Sequence, residues 1–331
     1  MTTSTPPPAG AAPTEAVGID VGATKIAALR VARDGTVLAR ARCDTPRGSA
    51  EDLVDTLAGL VKQVRGDRVV AVGAGLPGMV DARTGALVFA PGLEFARAPL
   101  RGMIADSVGL PVRTDNDANA AAWAEYRLGA GRGHDHMVLV TIGTGLGCGM
   151  IVGGRLLRGS HGYAAEVSHL IVDPQGPRCE CGEHGCWGVS ASGRAIARLG
   201  REAAAARPGS ALARLIGRGS AGAGEAVTRA AEEGDSQAVE ILARVGTLTG
   251  RGLASLANML DPSVLVVGGG PISAGELLLG PARAAFTSWL YSPGDRPGVP
   301  MVPARFGNDA GAIGAAVLAL DEFTGRSPDG S

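Results

Sequence analysis

His169, Cys179, Cys181 and Cys186 lie close together in a chain of 331 residues that has only five cysteines. One imidazole and three thiolates make a closed tetrahedral set for zinc, and an ion with no open coordination position holds structure rather than reacts. The C-x-C spacing departs from the usual C-x2-C, and His184 is a spare ligand. Reduced, unliganded thiols are the alternative, although such an exposed cluster is an oxidation hazard. Two glycine-rich stretches have a different chemistry: "GIDVGATK", with Gly22, Thr24 and Lys25, and "GTGLGCG", with Gly143, Thr144 and Gly145. Each reads either as a tight hairpin turn or as a nest of backbone N–H groups suited to the β- and γ-phosphates of a nucleotide. A third stretch, "TDNDANAAAWAEY", puts Asp115 and Asp117 where a predicted strand meets a predicted helix. Capping is common there and worth ~1 kcal/mol. The carboxyl end of a strand is also where α/β proteins bind ligands, and the helix dipole keeps Asp117 ionised and able to accept a proton.

The elements that position these residues follow from hydrophobic patterning. Apolar, strand-like runs feed glycine turns at 17–31, 136–154 and 263–270, and the first two continue into a second apolar run, as hairpins do. Such a repeat implies two similarly folded halves. Residues 51–66 and 118–129 have helical spacing, and the stretch from Ser190 to about Asp261 is nearly all helical, broken near "RPGS" and "RGSAGAGE". Strands alternating with helices make an α/β protein. The length suits two domains with a cleft between them.

Composition narrows the function. With 31 basic and 32 acidic residues, net charge is -1, so no field favours nucleic acid or an anionic membrane and a small molecule is the expected partner. No apolar run reaches membrane-spanning length. The first 16 residues read as a disordered tail without the features of a secretory signal, which places the protein in the cytoplasm, where thiols stay reduced. "RVVAVGAGLPG" satisfies the dinucleotide pattern G-x-G-x-x-G, but a hairpin-like run follows it where that motif requires a helix.

Taken in order, "GIDVGATK", "GLPGMVD", "DNDANAAAWAEYRLGAGRG", "VTIGTGLGCGMIVGGRLLRGSHGYAAEVSH", "CECGEHGCWG", "NMLDPSVLVVGGG" and "DAGAIGAAVLA" resemble the ROK sugar kinases of the sugar kinase, heat-shock protein and actin superfamily, over about Val17 to Leu320. The bacterial glucokinases are the branch most resembled. The resemblance implies a two-domain actin-like ATPase (ribonuclease H-like) fold: a small domain of 17–117 plus about 308–322, a large domain of 118–307 carrying the zinc loop, and tails at 1–16 and 323–331. It implies dimers or tetramers. By position, it makes Asp117 the base that deprotonates a primary hydroxyl attacking the γ-phosphate of ATP, and it gives Asp20 to Mg2+. Gly22, Thr24, Lys25, Gly143, Thr144 and Gly145 fall to the phosphates, and Gly268, Gly269 and Gly270 to the adenosine. Gly78, Asn116, Glu166, His169 and position 188 fall to the sugar, His169 binding zinc through its other ring nitrogen.

The chain departs from that pattern. Ala23 replaces the second glycine of D-x-G-G-T, and Cys148 replaces a glycine of the second phosphate loop. Where glucokinases read "GCWE", with a Glu for hydroxyls at the anomeric end, this chain has Gly188, and "APGLEF" puts Gly92 and Phe95 where glucokinases carry Asn and Trp. The nucleotide side is kept and the acceptor side altered. The expected activity is phosphorylation of a glucose-like hexose, with a C7-cyclitol of valiolone type or another modified ring as the alternative acceptor. A non-catalytic sugar-responsive regulator is a third reading. Repressors of the family carry a winged helix-turn-helix ahead of the first glycine turn, where this chain has 16 residues.

Overall fold

The computed structural model describes residues 14–90, 97–217 and 222–325. They form two compact units, one of residues up to Asp117 plus those from Ala312 onward, the other Ala118–Gly311.

The first unit is built on β1 (Glu15–Val21), β2 (Lys25–Ala32), β3 (Val37–Asp44), β4 (Val69–Leu76), the short pair β5 (Met79–Val80) and β6 (Leu87–Phe89), and β7 (Val112–Asn116). Its sheet has the order β3-β2-β1-β4-β7; β1 to β3 are antiparallel neighbours, and β4 and β7 run parallel to β1. Strands β1 and β4 read as near-continuous small apolar runs because both of their faces are buried. The helix α1 (Ala50–Val64) starts at a capping box of Ser49 and Asp52 and buries Leu53, Leu57, Leu60, Val61 and Val64, a helical stripe whose larger members contribute ~1.5 to 3 kcal/mol each. A second helix, α2 (Leu100–Val108), ends at the left-handed Gly109. The run "GAGLPG" is spent within β4 and the turn into β5, and no helix opens there.

The second unit contains α3 (Asp117–Leu128) from Ala118 on, then β8 (Met137–Ile142), β9 (Leu146–Val152), β10 (Arg155–Leu156), α4 (Trp187–Ala191), α5 (Gly193–Ala206), α6 (Ala211–Gly217), α7 (Ala223–Glu232), α8 (Ser236–Leu260), β11 (Val264–Gly268), α9 (Glu276–Trp289) and β12 (Met301–Pro303). Its sheet order, β10-β9-β8-β11-β12, repeats the first with the same directions. Of the break at "RGSAGAGE" (218–225), residues 218–221 lie outside the described residues, and the rest caps and opens α7.

Each sheet is covered by the helix that follows the other sheet's last strand. α10 (Ala310–Phe323) lies on β1 and β4, where Gly18 and Gly73 are register partners. A Cβ at either would stand 1.8 Å from the Ala312 or Ala315 carbonyl oxygen. In the second unit α3 lies on β9, where a Cβ at Gly149 would stand 2.6 Å from the Ala118 carbonyl oxygen. Glycine is required at these positions because backbone meets backbone.

Two boundaries differ from the sequence reading. Strand β1 begins at Glu15, and Glu15 and Ala16 are buried, so the first domain's ordered strand starts ahead of the expected boundary at 17. Helix α10 extends through Phe323, so the C-terminal boundary at 323 is also too early. Among the described residues no helix is long and apolar enough to cross a membrane.

Candidate active site

The β1–β2 turn is closed from within and braced from outside. The Gly22 N–H donates to the Lys25 carbonyl at 3.0 Å, while Thr45 donates its hydroxyl to the Gly22 carbonyl at 2.7 Å and its N–H to the Thr24 carbonyl at 3.0 Å. Ala23, Thr24 and Lys25 are exposed, so the methyl of Ala23 meets solvent and not a neighbour. Asp20 stands at the end of β1; protein packed around its carboxyl disfavours the charged form and pushes its pKa up to about 6.

Strand β7 delivers Asn116 and Asp117. The Asn116 side-chain amide donates to the Gly78 carbonyl at 3.0 Å. Gly78 has φ +79°, and a Cβ there would stand 2.2 Å from the Phe89 carbonyl oxygen, so only glycine makes this turn. Asp117, half-buried, is the first residue of α3, where the helix dipole favours a carboxylate.

In the second unit the β8–β9 turn repeats the same device. The Gly143 N–H donates to the Gly145 carbonyl at 2.9 Å, closing the turn, and the head of α5 braces it: Gly193 N–H donates to the Gly143 carbonyl at 2.8 Å and Arg194 Nε to the Thr144 carbonyl at 3.2 Å. Because Gly22 and Gly143 use their N–H groups to close their turns, any nest for phosphate is made of the N–H groups that follow them. Gly269, at φ +102°, brings Gly268 to Gly270 against this turn; a Cβ there would stand 2.1 Å from the Ile142 carbonyl oxygen. Cys148 lies outside the turn itself, in β9 opposite Val140, in a core with Val167 and Trp187. Burial, then the charge of Glu166, pushes its thiol well above the ordinary range.

The chain between β10 and α4 carries Glu166, just ahead of the single turn Val167–His169, and His169, its last residue. Ala165, just ahead, has the left-handed φ of 72°, uncommon for a residue with a Cβ. Burial raises the Glu166 carboxyl, opposed by the charge of His169. The Nδ1 of His169 lies 3.7 Å from Cys179 Sγ, and Cys181 Sγ lies 3.6 Å from Cys186 Sγ. All four ligand atoms fall within 4.8 Å of one another, and the five cysteines of the chain are free thiols. Ligands 2.0 to 2.3 Å from a tetrahedral zinc are about 3.5 to 3.8 Å apart, so the set fits the ion by geometry as well as donor type. His184 is not part of it, because its Nδ1 lies 3.2 Å from the Gly176 carbonyl oxygen. Hydrogen bonding from the Glu183 N–H and the neighbouring sulfurs holds the Cys181 thiol down to about 7, while burial pushes Cys186 up to about 12.

Gly188 enters α4 two residues after Cys186. A Cβ there would lie 3.2 Å from Ser168 Cβ and 3.3 Å from the Ser168 carbonyl oxygen, so position 188 abuts the turn between Glu166 and His169. Gly92 and Phe95 lie outside the described residues. Thr45, Gly193 and Arg194, which brace the two turns, escaped sequence reading; they belong to no motif, and only the fold brings them to the loops.

The sequence model of the ROK family matches residues 16–322. A glucokinase of Streptomyces coelicolor is 41% identical over 317 residues, covering 95% of this chain and 98% of the relative. A glucokinase of Thermotoga maritima is 34% identical, covering 93% and 98%. Among solved structures, a ROK family glucokinase from Streptomyces griseus in complex with glucose and AMPPNP superimposes with a TM-score of 0.84 at 43% identity, covering 93% of this chain and 99% of that one. The braced glycine turns, the duplicated sheet and the Cys/His loop thus occur in a chain that matches one family nearly end to end, and the chain belongs to the ROK family.

Proposed function

We propose that the protein is an ATP-dependent kinase that phosphorylates the primary hydroxyl of a glucose-like hexose. The observation that carries this reading is the join of β7 and α3, which sets a half-buried carboxylate, Asp117, at a helix N-terminus, in a chain 41% identical to a glucokinase. Asp117 takes the proton of the attacking hydroxyl, and the dipole of α3 keeps it ionised to do so. Asn116, pinned to the Gly78 carbonyl, and Glu166 and His169 orient the ring. The turns at Thr24–Lys25 and Thr144–Gly145 hold the phosphates, and Gly268 to Gly270 line the adenosine. Magnesium, when bound at Asp20, neutralises charge on the transferring phosphoryl group. Most of the catalysis is positioning and charge stabilisation, as phosphoryl transfer requires. His169, Cys179, Cys181 and Cys186 would hold zinc, which would fix the segment that presents Glu166 and His169, and His169, held through Nδ1, would keep its Nε2 for the acceptor.

Gly188 favours a second reading of the acceptor. With no carboxylate at this position, a ring lacking an anomeric centre, such as a C7-cyclitol with a primary hydroxyl, loses nothing by lacking the anomeric hydroxyl. A kinase assay over glucose, N-acetylmannosamine, N-acetylglucosamine and a valiolone-type cyclitol tests both, on the wild type and on Asp117→Asn. The expected result is turnover of at least one acceptor by the wild type and a loss of ~10²- to 10⁴-fold in Asp117→Asn, with nucleotide binding retained. No turnover on any acceptor overturns the kinase reading, and Asp117→Asn within threefold of wild type shows that another group is the base.

A further inference from the structure

Carboxylates at a helix C-terminus oppose the helix dipole, yet α10 ends in Asp321 and Glu322. Both are met by arginines of the first unit. Arg33 pairs with Asp321 at 3.8 Å, and Glu322 accepts from Arg101 at 3.1 Å and from Arg113. Arg113 lies on β7, is only 6% exposed, and pairs at 3.5 Å with Asp115, equally buried. Two positions apart on one strand, the two side chains share the face covered by α10. The register places Gly18, Gly73 and Arg113 in one row under that helix, and Asp20, Gly75 and Asp115 in the row nearer the carboxyl edge. Asp115 then accepts the backbone N–H of Asn116 at 2.9 Å, one residue before Asp117. On the opposite face of β7 the Thr114 hydroxyl donates to the Gly85 carbonyl at 2.9 Å. Arg101 also ties α2 to this strand through the Val112 carbonyl at 2.9 Å.

We infer that Asp115 is a positioning residue for Asp117, held by Arg113, which Glu322 in turn anchors to α10. The inference rests on the kinase reading, in which Asp117 is the base. Asp115 does not touch the reactants in this scheme. Turned toward the Asn116 N–H and paired with Arg113, it fixes the point where β7 becomes α3, and so the angle at which Asp117 leaves the sheet. The anchor is the one helix of the first unit whose chain arrives from the second, so the strand that presents the base is fastened to the returning segment. An ion pair this buried is costly to break on one side only, which makes the arrangement all-or-none and suits a group that must hold one geometry.

Asp115→Asn, which keeps the shape and removes the charge, and the milder Glu322→Gln test it in the full chain. Turnover is normalised to the number of sites that bind AMPPNP in a calorimetric titration, so that lost folding appears as lost sites and not as slow sites. Asp115→Asn is expected to lower kcat per site at least tenfold with KM for ATP within threefold, and Glu322→Gln to lower it two- to fivefold with the same split. Amide hydrogen exchange gives a readout independent of activity: in Asp115→Asn the amides of Asn116 and Asp117 exchange at least tenfold faster while those of β1 do not. Unchanged exchange at Asn116 and Asp117, or kcat per site within twofold of wild type, overturns the positioning role. A wild type silent on every acceptor overturns the kinase reading instead, and the exchange measurement still decides whether Asp115 fixes this junction.

Discussion

The two sheets have the same strand order and directions, yet they differ in what lies between the third and fourth strands of each. In the first unit residues 45–68 hold one helix, α1; in the second, residues 157–263 hold the Glu166 turn, the cysteine loop and α4 to α8. Both glycine turns are closed by an N–H of their own and braced from outside, the first by Thr45, the second by the head of α5. On the proposed reading the repeated part of the fold carries the phosphate turns, and the unequal insertion carries Glu166, His169 and position 188 of the acceptor side, which Gly78 and Asn116 of the first unit complete. Such a division would let the chain depart from the glucokinase pattern at Gly188 while keeping its two glycine turns.

Breaking the insertion without touching the repeat is the strongest test of this division. Cys181→Ser removes one of the four proposed zinc ligands and leaves every residue of the two turns in place. Wild-type protein purified without added zinc should hold about one equivalent per chain, and the variant a small fraction of that, because structural zinc binding is largely folding free energy of its loop. Thermal stability and acceptor affinity should fall together while AMPPNP affinity stays within threefold. Well-folded wild type with less than a tenth of an equivalent of zinc removes the assignment. A variant that loses AMPPNP and acceptor affinity alike removes the division of labour between repeat and insertion.

The parts of the molecule that the sequence made legible are those with local signals. The hairpins around Gly22 and Gly143 are readable because apolar β-branched runs and glycine turns are neighbours in sequence, and so is the gathering of His169 with Cys179, Cys181 and Cys186, which lie within 18 positions of one another. The start of β1 was not readable: Glu15 is a buried, ion-paired residue of the strand, meeting Arg30 at 3.7 Å and Arg68 at 3.5 Å, and a charged residue next to a polar tail looks like more tail. Nor were Thr45, Gly193 and the Arg113–Glu322 pair, whose partners are 21 to 209 positions away. Cys148 showed a different failing. Its place in "GTGLGCG" suggested the phosphate turn, whereas strand alternation turns it into the core beneath Glu166.

Gly188→Glu sharpens the comparison from the acceptor side. Each charged hydrogen bond to a hydroxyl is worth ~1.5 to 3 kcal/mol, so the variant should shift the ratio of kcat/KM for glucose over a valiolone-type cyclitol by roughly 10- to 150-fold toward glucose, with KM for ATP unmoved. Its neighbour complicates the single change, since a Cβ at 188 lies 3.2 Å from that of Ser168 and so crowds the turn between Glu166 and His169. The pair Ser168→Gly and Gly188→Glu should therefore show a larger shift than Gly188→Glu alone. Wild type that already uses glucose as well as Gly188→Glu does, with no gain in the pair, would falsify a role for position 188 in selectivity.

The smallest expected effect lies on the nucleotide side and is read through pH. Burial raises the Asp20 carboxyl from 3.8 to about 6, so the folded chain holds this proton more tightly than the unfolded one. The resulting stability is fully present below the unfolded pKa and is lost as pH rises through the folded one; above about 6 the buried carboxylate is a net cost of up to ~3 kcal/mol. Asp20→Asn has no such cost. Without nucleotide or magnesium, its melting temperature should exceed that of the wild type at pH 7 to 8, and the gap should close as pH falls from 6 toward 4. If magnesium binds at Asp20 as proposed, it competes for the same oxygens as the proton, and the apparent wild-type affinity for it should fall roughly tenfold per pH unit below about 6 and level off above. Added Mg-AMPPNP should then narrow the neutral-pH gap by stabilising the wild type more than the variant. Melting curves from pH 4 to 8, with and without Mg-AMPPNP, decide the matter: parallel curves for the two proteins would mean that Asp20 is neither strained by burial nor relieved by the metal.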